Sequence, residues 1–297
     1  MTMTLAAASE TGGGSLRRYL KLDAWQLALP LALAFAALFV APLLLLVGVS
    51  FFNDDKITQP GFGSWIKFFG DPFNYKVIGD TLLLGVKTVC TTVLIGYPLA
   101  LVYIDLPSRL QKVLIFIIVL PLLLSVVVRT FAWIVVLGRE GMVNQVLQGI
   151  GIISEPLRLL QTELGLVISL TQIEMPLMLL PLISVMSRLD PNLRDASAAL
   201  GASRWRTLFT VIVPLSMPGL VAGCLLVFAS STTAFISQTM IGGVRLIYLP
   251  LLIWQQSLVV YNWPLAAVIS LSLVVSVLSV IAALSYMGRR SSGHLHG

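Results

Sequence analysis

The stretch RLDPNLRDASAALGASRWRTLFTVIVPLSMPGL, from Arg188 to Leu220, decides how this chain is organised. It is a polar island, rich in Ala and Ser, lying between two strongly apolar runs. Asp190-Pro191 reads as a helix start, with Asp as N-cap and Pro at the first helical position, where its missing N–H costs nothing. Residues Asn192–Leu200 are good or tolerable helix formers, and Gly201 supplies a C-terminal stop. Ser203 caps a second helix running from Arg204 towards Val213, and Pro214 and Pro218 mark the start of the next apolar run. A helix, a Gly turn and a second helix are therefore expected. The small side chains of Ala196, Ser197, Ala198 and Ala199 give the first helix a smooth face, suited to seating in another protein's groove.

The rest of the chain explains why such an island stands out. Of 297 residues, 57% are hydrophobic and 11% charged, where a soluble domain carries about 25% charged residues. The mean hydropathy is +0.95. Six long apolar runs account for it: Leu27–Val49, Thr81–Tyr103, Val113–Leu137, Leu164–Met186, Leu215–Ile236 and Leu265–Met287. Each has roughly 20 residues, which as a helix spans about 30 Å of hydrocarbon. Strand-type alternation is absent, which argues against a barrel. The expected fold is all-α: one six-span domain over 27–287, with the island as a loop over 188–214, a polar tail over 1–26 and another over 288–297. The first run is too long for a signal-peptide core and lacks a small-residue cleavage site, so it reads as an uncleaved span.

Basic residues set the orientation. Arg17, Arg18, Lys21, Arg109, Lys112, Arg188, Arg194, Arg204, Arg206, Arg289 and Arg290 fall on one side. The other side carries the smaller set Lys56, Lys67, Lys76, Arg139, Arg158 and Arg245. The first side is expected to be cytoplasmic, with the island and both termini. The net charge of +6 thus reports topology, and the scatter of the basic residues gives no support to a nucleic-acid partner. On the opposite side, FGSWIKFFGDPFNY (62–75) is rich in interfacial aromatics. Gly138–Glu163 reads as a short amphipathic helix followed by a turn at Glu155-Pro156, and Ser237–Trp263 as a loop turning at Gly242-Gly243. Cys90 and Cys224 lie inside spans and read as packing residues. His294 and His296 sit in the C-terminal tail, so no metal site is expected.

Polar groups within the spans are the candidates for a solute path. Glu174 lies near the middle of the fourth run, where an ionised carboxyl costs on the order of 2–3 kcal/mol unless it faces a cavity or a partner. Two roles fit it: meeting a cationic solute in transit, or a structural ion pair or protonated hydrogen-bonding group. Pro176 and Pro181 loosen the same span. Arg129, near Thr130 and Trp133, either snorkels or pairs with Glu174 or Asp80, and Lys87 snorkels. In FASSTTAF, Ser231 and Thr232 are the candidate path hydroxyls; the alternative is that this row bonds its own helix carbonyls. Gly219 and Gly223 permit close helix packing.

The island also carries a resemblance. Importer permeases of the ATP-binding-cassette (ABC) type have a cytoplasmic motif of Glu-Ala-Ala, three residues, Gly, nine residues, then Ile-x-Leu-Pro. Here the matching positions are Asp195-Ala196-Ser197, Gly201, and Val211-Ile212-Val213-Pro214, with the same spacing throughout. Asp replaces Glu, Ser the second Ala, and Val both Ile and Leu. The stretches RTFAWIVVLGREGMVNQVL from Arg129, PLSMPGLVAGCLLVF from Pro214 and NWPLAAV from Asn262 resemble the spermidine/putrescine branch. The resemblance implies the six-span core of type I (MetI-like) permeases. It also implies a coupling element made of Asp195, Ala196, Ser197, Leu200, Gly201, Ala202, Arg204, Arg206 and Pro214, docked on an ABC ATPase dimer. A second homologous permease, an external solute-binding protein and a place in the bacterial inner membrane complete the implied system. No Gly-Lys dipeptide occurs in the chain, hence no phosphate loop. The chain is expected to be non-catalytic and to bind no cofactor, with ATP and Mg used by the partner. The rival expectations are an ATP-independent secondary transporter or channel, and a structural membrane protein.

Overall fold

The computed structural model describes residues 24–190 and 192–293. The expected tail over 1–26 lies almost wholly outside the described residues, as do Pro191, His294 and His296. Among the described residues the chain is helical and contains no strand beyond one isolated bridge. Among the described residues five helices are long and apolar enough to span a membrane, or six where a bent pair counts as one span. In order these are α1 (Ala24–Ser50), the short α2 (Gly63–Gly70), α3 (Pro72–Asp105), the bent pair α4 (Ser108–Val119) and α5 (Val126–Leu137), then α6 (Met142–Gly149) and α7 (Glu163–Met186). The island follows as α8 (Asn192–Ala199) and α9 (Arg204–Thr207). The last group is α10 (Val213–Thr232), α11 (Phe235–Gly242), α12 (Leu249–Trp254) and α13 (Trp263–Gly293).

The core is the bundle of α3, α7 and α10. α7 is the central member; Leu166, Leu170, Met178, Leu179 and Leu182 on it are fully buried. Glycines bring its neighbours close. A Cβ on Gly219 would lie 2.8 Å from the Pro181 carbonyl oxygen, and one on Gly223 would lie 2.7 Å from the Met178 sulfur and 3.0 Å from its carbonyl oxygen. Gly96 on α3 packs against Met175 and Met178, and Gly85 against Phe228 and Thr232. Hydroxyl bonds pin the same seams: Thr91 to Thr171 at 2.6 Å, and Tyr97 to Ser216 at 2.9 Å. α1 lies at the edge, packs on α13, and leaves its apolar surface exposed, as a lipid-facing span must.

Several expectations change. The run Val113–Leu137 is not one straight span: helical segments Ser108–Leu123 and Val126–Gly149 meet at 103°. Pro121 has no N–H to continue the ladder, a 3-10 turn forms over Leu120–Leu123, and Ser125 restarts the helix by accepting from the Val127 N–H. The run Leu215–Ile236 likewise breaks at Thr233 and resumes as α11. Ser237–Trp263, expected as an outer loop, is instead largely helical and packed: Ser237, Ile241 and Leu249 are fully buried, and Gln238 nearly so. The turn at Gly243 does occur, at φ +62°. The last helix runs on to Gly293, past the expected end at Met287.

The outer excursions are ordered. Trp65, Phe68, Phe69, Phe51, Phe62 and Tyr75 form a continuous aromatic cluster around α2. Asn144 on α6 is fully buried and ties its loop together, donating to the Gly138 and Leu157 carbonyls and accepting from the Leu157 N–H.

The glycine seam gives a direct test. Gly223→Leu should destabilise the protein by about 1–3 kcal/mol through overpacking against Met178. Gly79→Ala, where an added Cβ meets nothing within 4 Å, should be neutral or slightly stabilising. Thermal unfolding of the purified protein in detergent reads the difference; equal melting temperatures would contradict this packing.

Candidate functional site

The island folds as its residues dictate. Asp190 accepts from the Asn192 N–H and starts α8. Gly201 ends it at φ +80°, with Gly201 N–H to Ala198 O at 2.9 Å and Ala202 N–H to Ser197 O at 3.1 Å, the paired bonds of a Schellman motif. Ser203 caps α9 by accepting from the Arg206 N–H at 3.4 Å. The Ser197 and Thr207 hydroxyls, 2.8 Å apart, lock the two short helices together. The second helix does not stop near Val213. It passes through a π-turn over Leu208–Ile212, where Val213 N–H bonds Leu208 O, and continues directly into α10. The wide turn ends at Pro214, which has no N–H and would crowd the carbonyl four residues back in a regular helix.

The expected coupling residues divide by exposure. Asp195, Ala196, Gly201, Arg204 and Arg206 are exposed, Ser197, Ala202 and Pro214 half-buried, and Leu200 is 89% exposed at the tip. Trp205 and Phe209, 71% and 64% exposed, stack with ring centroids 6.2 Å apart. They extend the apolar face beyond the motif; an aromatic pair spaced four apart on a helix is the available sequence signal. Asp195, Ala202 and Arg204 line a groove of about 580 Å³ against Leu101 and Asp105 at the end of α3. Asp195 makes no ion pair with Arg204 or Arg206; the Arg194 side chain lies outside the described residues.

The in-span polar residues gather in a second place. Arg129 from α5, Glu174 and Ile173 from α7, Ser230 and Thr233 at the end of α10, and Ser237 from α11 line a cleft of about 400 Å³. Both helix breaks border it: Leu122 and Val126 flank the first, and Ser230, Thr233 and Ala234 lie at the second. Glu174 is 4% exposed, with Ser230 in hydrogen-bonding reach and Arg129 acting on it electrostatically. Arg129 Nη1 donates to the Ile173 carbonyl at 3.3 Å, and no direct ion pair closes between Arg129 and either Glu174 or Asp80.

Other expected path residues sit elsewhere. Ser231 and Thr232 are fully buried and donate to the Phe228 carbonyl, so Ser230 and Thr233 are the hydroxyls of the cleft. Helix phase, which a row of four hydroxyls does not reveal, makes the choice. Trp133 donates to Gln172 at 2.9 Å and does not line the cleft. Lys87 does not simply snorkel: it pairs with Glu163 in the first turn of α7 at 2.5 Å, both side chains about 40% exposed. Gln238 is a residue that no sequence signal singles out; it donates to the Ser231 and Thr232 carbonyls that the break sets free.

Comparison with known proteins agrees with this architecture. Residues 92–291 match the family described as binding-protein-dependent transport system inner membrane component. The spermidine/putrescine transport system permease protein PotB of Haemophilus influenzae is 33% identical over 79% of this chain and 83% of its own length. PotB of Escherichia coli is 29% identical over 79% of this chain and 86% of its own length. Among solved structures, a bacterial ABC transporter for import of the acidic polysaccharide alginate superposes with a TM-score of 0.73 at 20% identity. It covers 93% of this chain and 98% of its own. The same fold is seen in an alginate transporter complexed with an alginate pentasaccharide-bound periplasmic protein, at TM-score 0.74 and 18% identity, over 90% of this chain and 94% of the other.

Cysteine accessibility tests the cleft. In a background lacking Cys90 and Cys224, cysteines at 230 and 233 should react with a small hydrophilic maleimide at least about tenfold faster than cysteines at 231 and 232. Equal reactivity at all four positions would show that the hydroxyl row is not phased this way.

Proposed function

Because the chain belongs to the family of binding-protein-dependent transport system inner membrane components, we propose that it forms one half of the pathway by which an ABC importer takes up a polyamine or similar organic cation. As a permease of this family it is a non-catalytic, multi-pass subunit of the inner membrane, and ATP hydrolysis lies in a partner chain. In the proposed cycle an external solute-binding protein delivers the solute to an outward-open pair of permeases, this chain and a second homologous one. Closure of the ATPase dimer, with its ATP and Mg, then turns the pair inward. The island and both termini face the cytoplasm.

The main support is the geometry of the island. An exposed helix–turn–helix, locked by the Ser197–Thr207 hydroxyl bond, is continuous through the π-turn with α10. A push on Asp195, Leu200, Trp205 or Arg206 is therefore delivered along a helix to Ser230 and Thr233 in the cleft. Gly219 and Gly223 seat that helix on α7, which carries Glu174, so the two walls of the cleft move as one packed pair. The cationic solute rests on Glu174, a carboxyl lining a mid-span cleft with three hydroxyls, and on the polyamine permeases to which the chain is similar.

Reconstitution in proteoliposomes with the ATPase, the second permease and the binding protein of its own system tests the mechanism. Binding protein loaded with spermidine or putrescine should stimulate ATP hydrolysis, and Gly201→Val should lower that stimulation about tenfold by straining the left-handed turn. Asp195→Ala should lower it less, since among the described residues no ion pair depends on it. Solute uptake that persists without the ATPase would replace this reading with a secondary transporter or channel.

A further inference from the structure

Arg129 stands in the same cleft as Glu174, on the helix facing it. Its guanidinium is poorly satisfied. Nη1 reaches the Ile173 carbonyl at 3.3 Å, and Nε is buried with no hydrogen-bond partner. Ile173 directly precedes Glu174 on α7, so the guanidinium is bonded to the backbone next to Glu174 and lines the same cleft as its carboxyl. It acts on Glu174 electrostatically without closing an ion pair. The remaining polar side chains of the cleft, Ser230, Thr233 and Ser237, are uncharged hydroxyls.

A charged side chain at the centre of a span is costly, and here a guanidinium and a carboxyl line one cleft. Each offsets the cost of the other while the cleft is empty. A solute ammonium arriving at Glu174 offers the carboxylate the same compensation. Two cations at one carboxylate repel each other, the more strongly the less water lies between them. The guanidinium and the ammonium therefore compete. The long, single bond to Ile173 is a weak hold, which leaves the guanidinium free to move towards the carboxylate or away from it.

We propose that Arg129 is the exchangeable counter-ion of Glu174, compensating the carboxylate across the empty cleft and yielding it to a passing ammonium group. This rests on the cation-importer reading and deepens it. Arg129 becomes a specificity-determining residue in two ways. A neutral solute has no charge with which to displace it. An ammonium that has displaced it is in turn displaced when the guanidinium returns, so the cation is handed on instead of trapped.

The complete reconstituted importer tests this with spermidine uptake. Arg129→Gln should lower both the maximal rate and the half-saturating concentration, the rate about tenfold, because the amine is held too long. Glu174→Gln should instead raise the half-saturating concentration. In the Glu174→Gln background, Arg129→Gln should change the rate by less than about twofold, because there is no carboxylate left to compete for. Arg129→Lys, which keeps the charge, should stay within about threefold of the wild type. Unfolding temperatures of the four variants show whether each is folded. A merely structural Arg129 would cost the same in both backgrounds, and multiplying effects of the two Gln substitutions would overturn the exchange. A wild-type complex whose ATPase responds to loaded binding protein while no polyamine enters would instead overturn the cation reading beneath it.

Discussion

The close approach of α7 and α10 is the contact on which the rest of the structure depends. Gly219 and Gly223 let the backbone of α10 rest on Pro181, Leu182 and Met178 with no room for a Cβ. In hydrocarbon there is no hydrophobic gain from bringing two apolar helices together. Association comes from close van der Waals packing and from polar bonds between helices, and both need the backbones near each other. That seam places Glu174 on one side and Ser230 and Thr233 on the other at a fixed spacing. It also ties the island to the membrane, because α10 is the direct continuation of α9. With a looser seam, a displacement of the island would be absorbed as sliding between helices before it reached the cleft.

A second constraint governs where the helices can break. Within the bilayer every backbone donor and acceptor must be paired by the protein itself. Each break is accordingly met by a dedicated side chain. Gln238 takes up the carbonyls released beyond Ser230, Thr81 accepts from the Leu249 N–H where α12 starts, and Asn262 accepts from the Leu265 N–H at the start of α13. Ser125 restarts the chain after the bend at Pro121. The hydroxyls of Ser230, Thr233 and Ser237, on the two sides of the break after Thr232, line the cleft with Glu174.

The legibility of these features tracks how local their causes are. Gly201, Ser203 and Asp190 act within four residues of themselves, and the island they specify is the one observed. The pairing of Lys87 is hidden from the sequence because its partner Glu163 is distant in the chain and comes beside it only when α3 packs on α7. The sequence points to Ser231 and Thr232 in place of Ser230 and Thr233 because a run of four hydroxyls fixes no helical phase. The segment 237–263 reads as an outer loop because Gly242-Gly243 and Asn262-Trp263-Pro264 are turn signals, whereas its burial comes from α5, α7 and α13.

The sequence by itself determined that this is an all-helical membrane chain, which apolar runs enter its spanning helices, and that a capped helix–turn–helix interrupts them. Those properties come from hydropathy, from proline and glycine geometry, and from side chains that cap their own neighbours. Only the tertiary structure decided which polar groups meet. The cleft joins residues from α5, α7, α10 and α11, and its chemistry depends on two helix breaks and on the rotation of each helix about its axis. Rotation is set by packing against neighbours, through contacts such as Gly223 on Met178, and not by any periodicity in a run that is apolar all round.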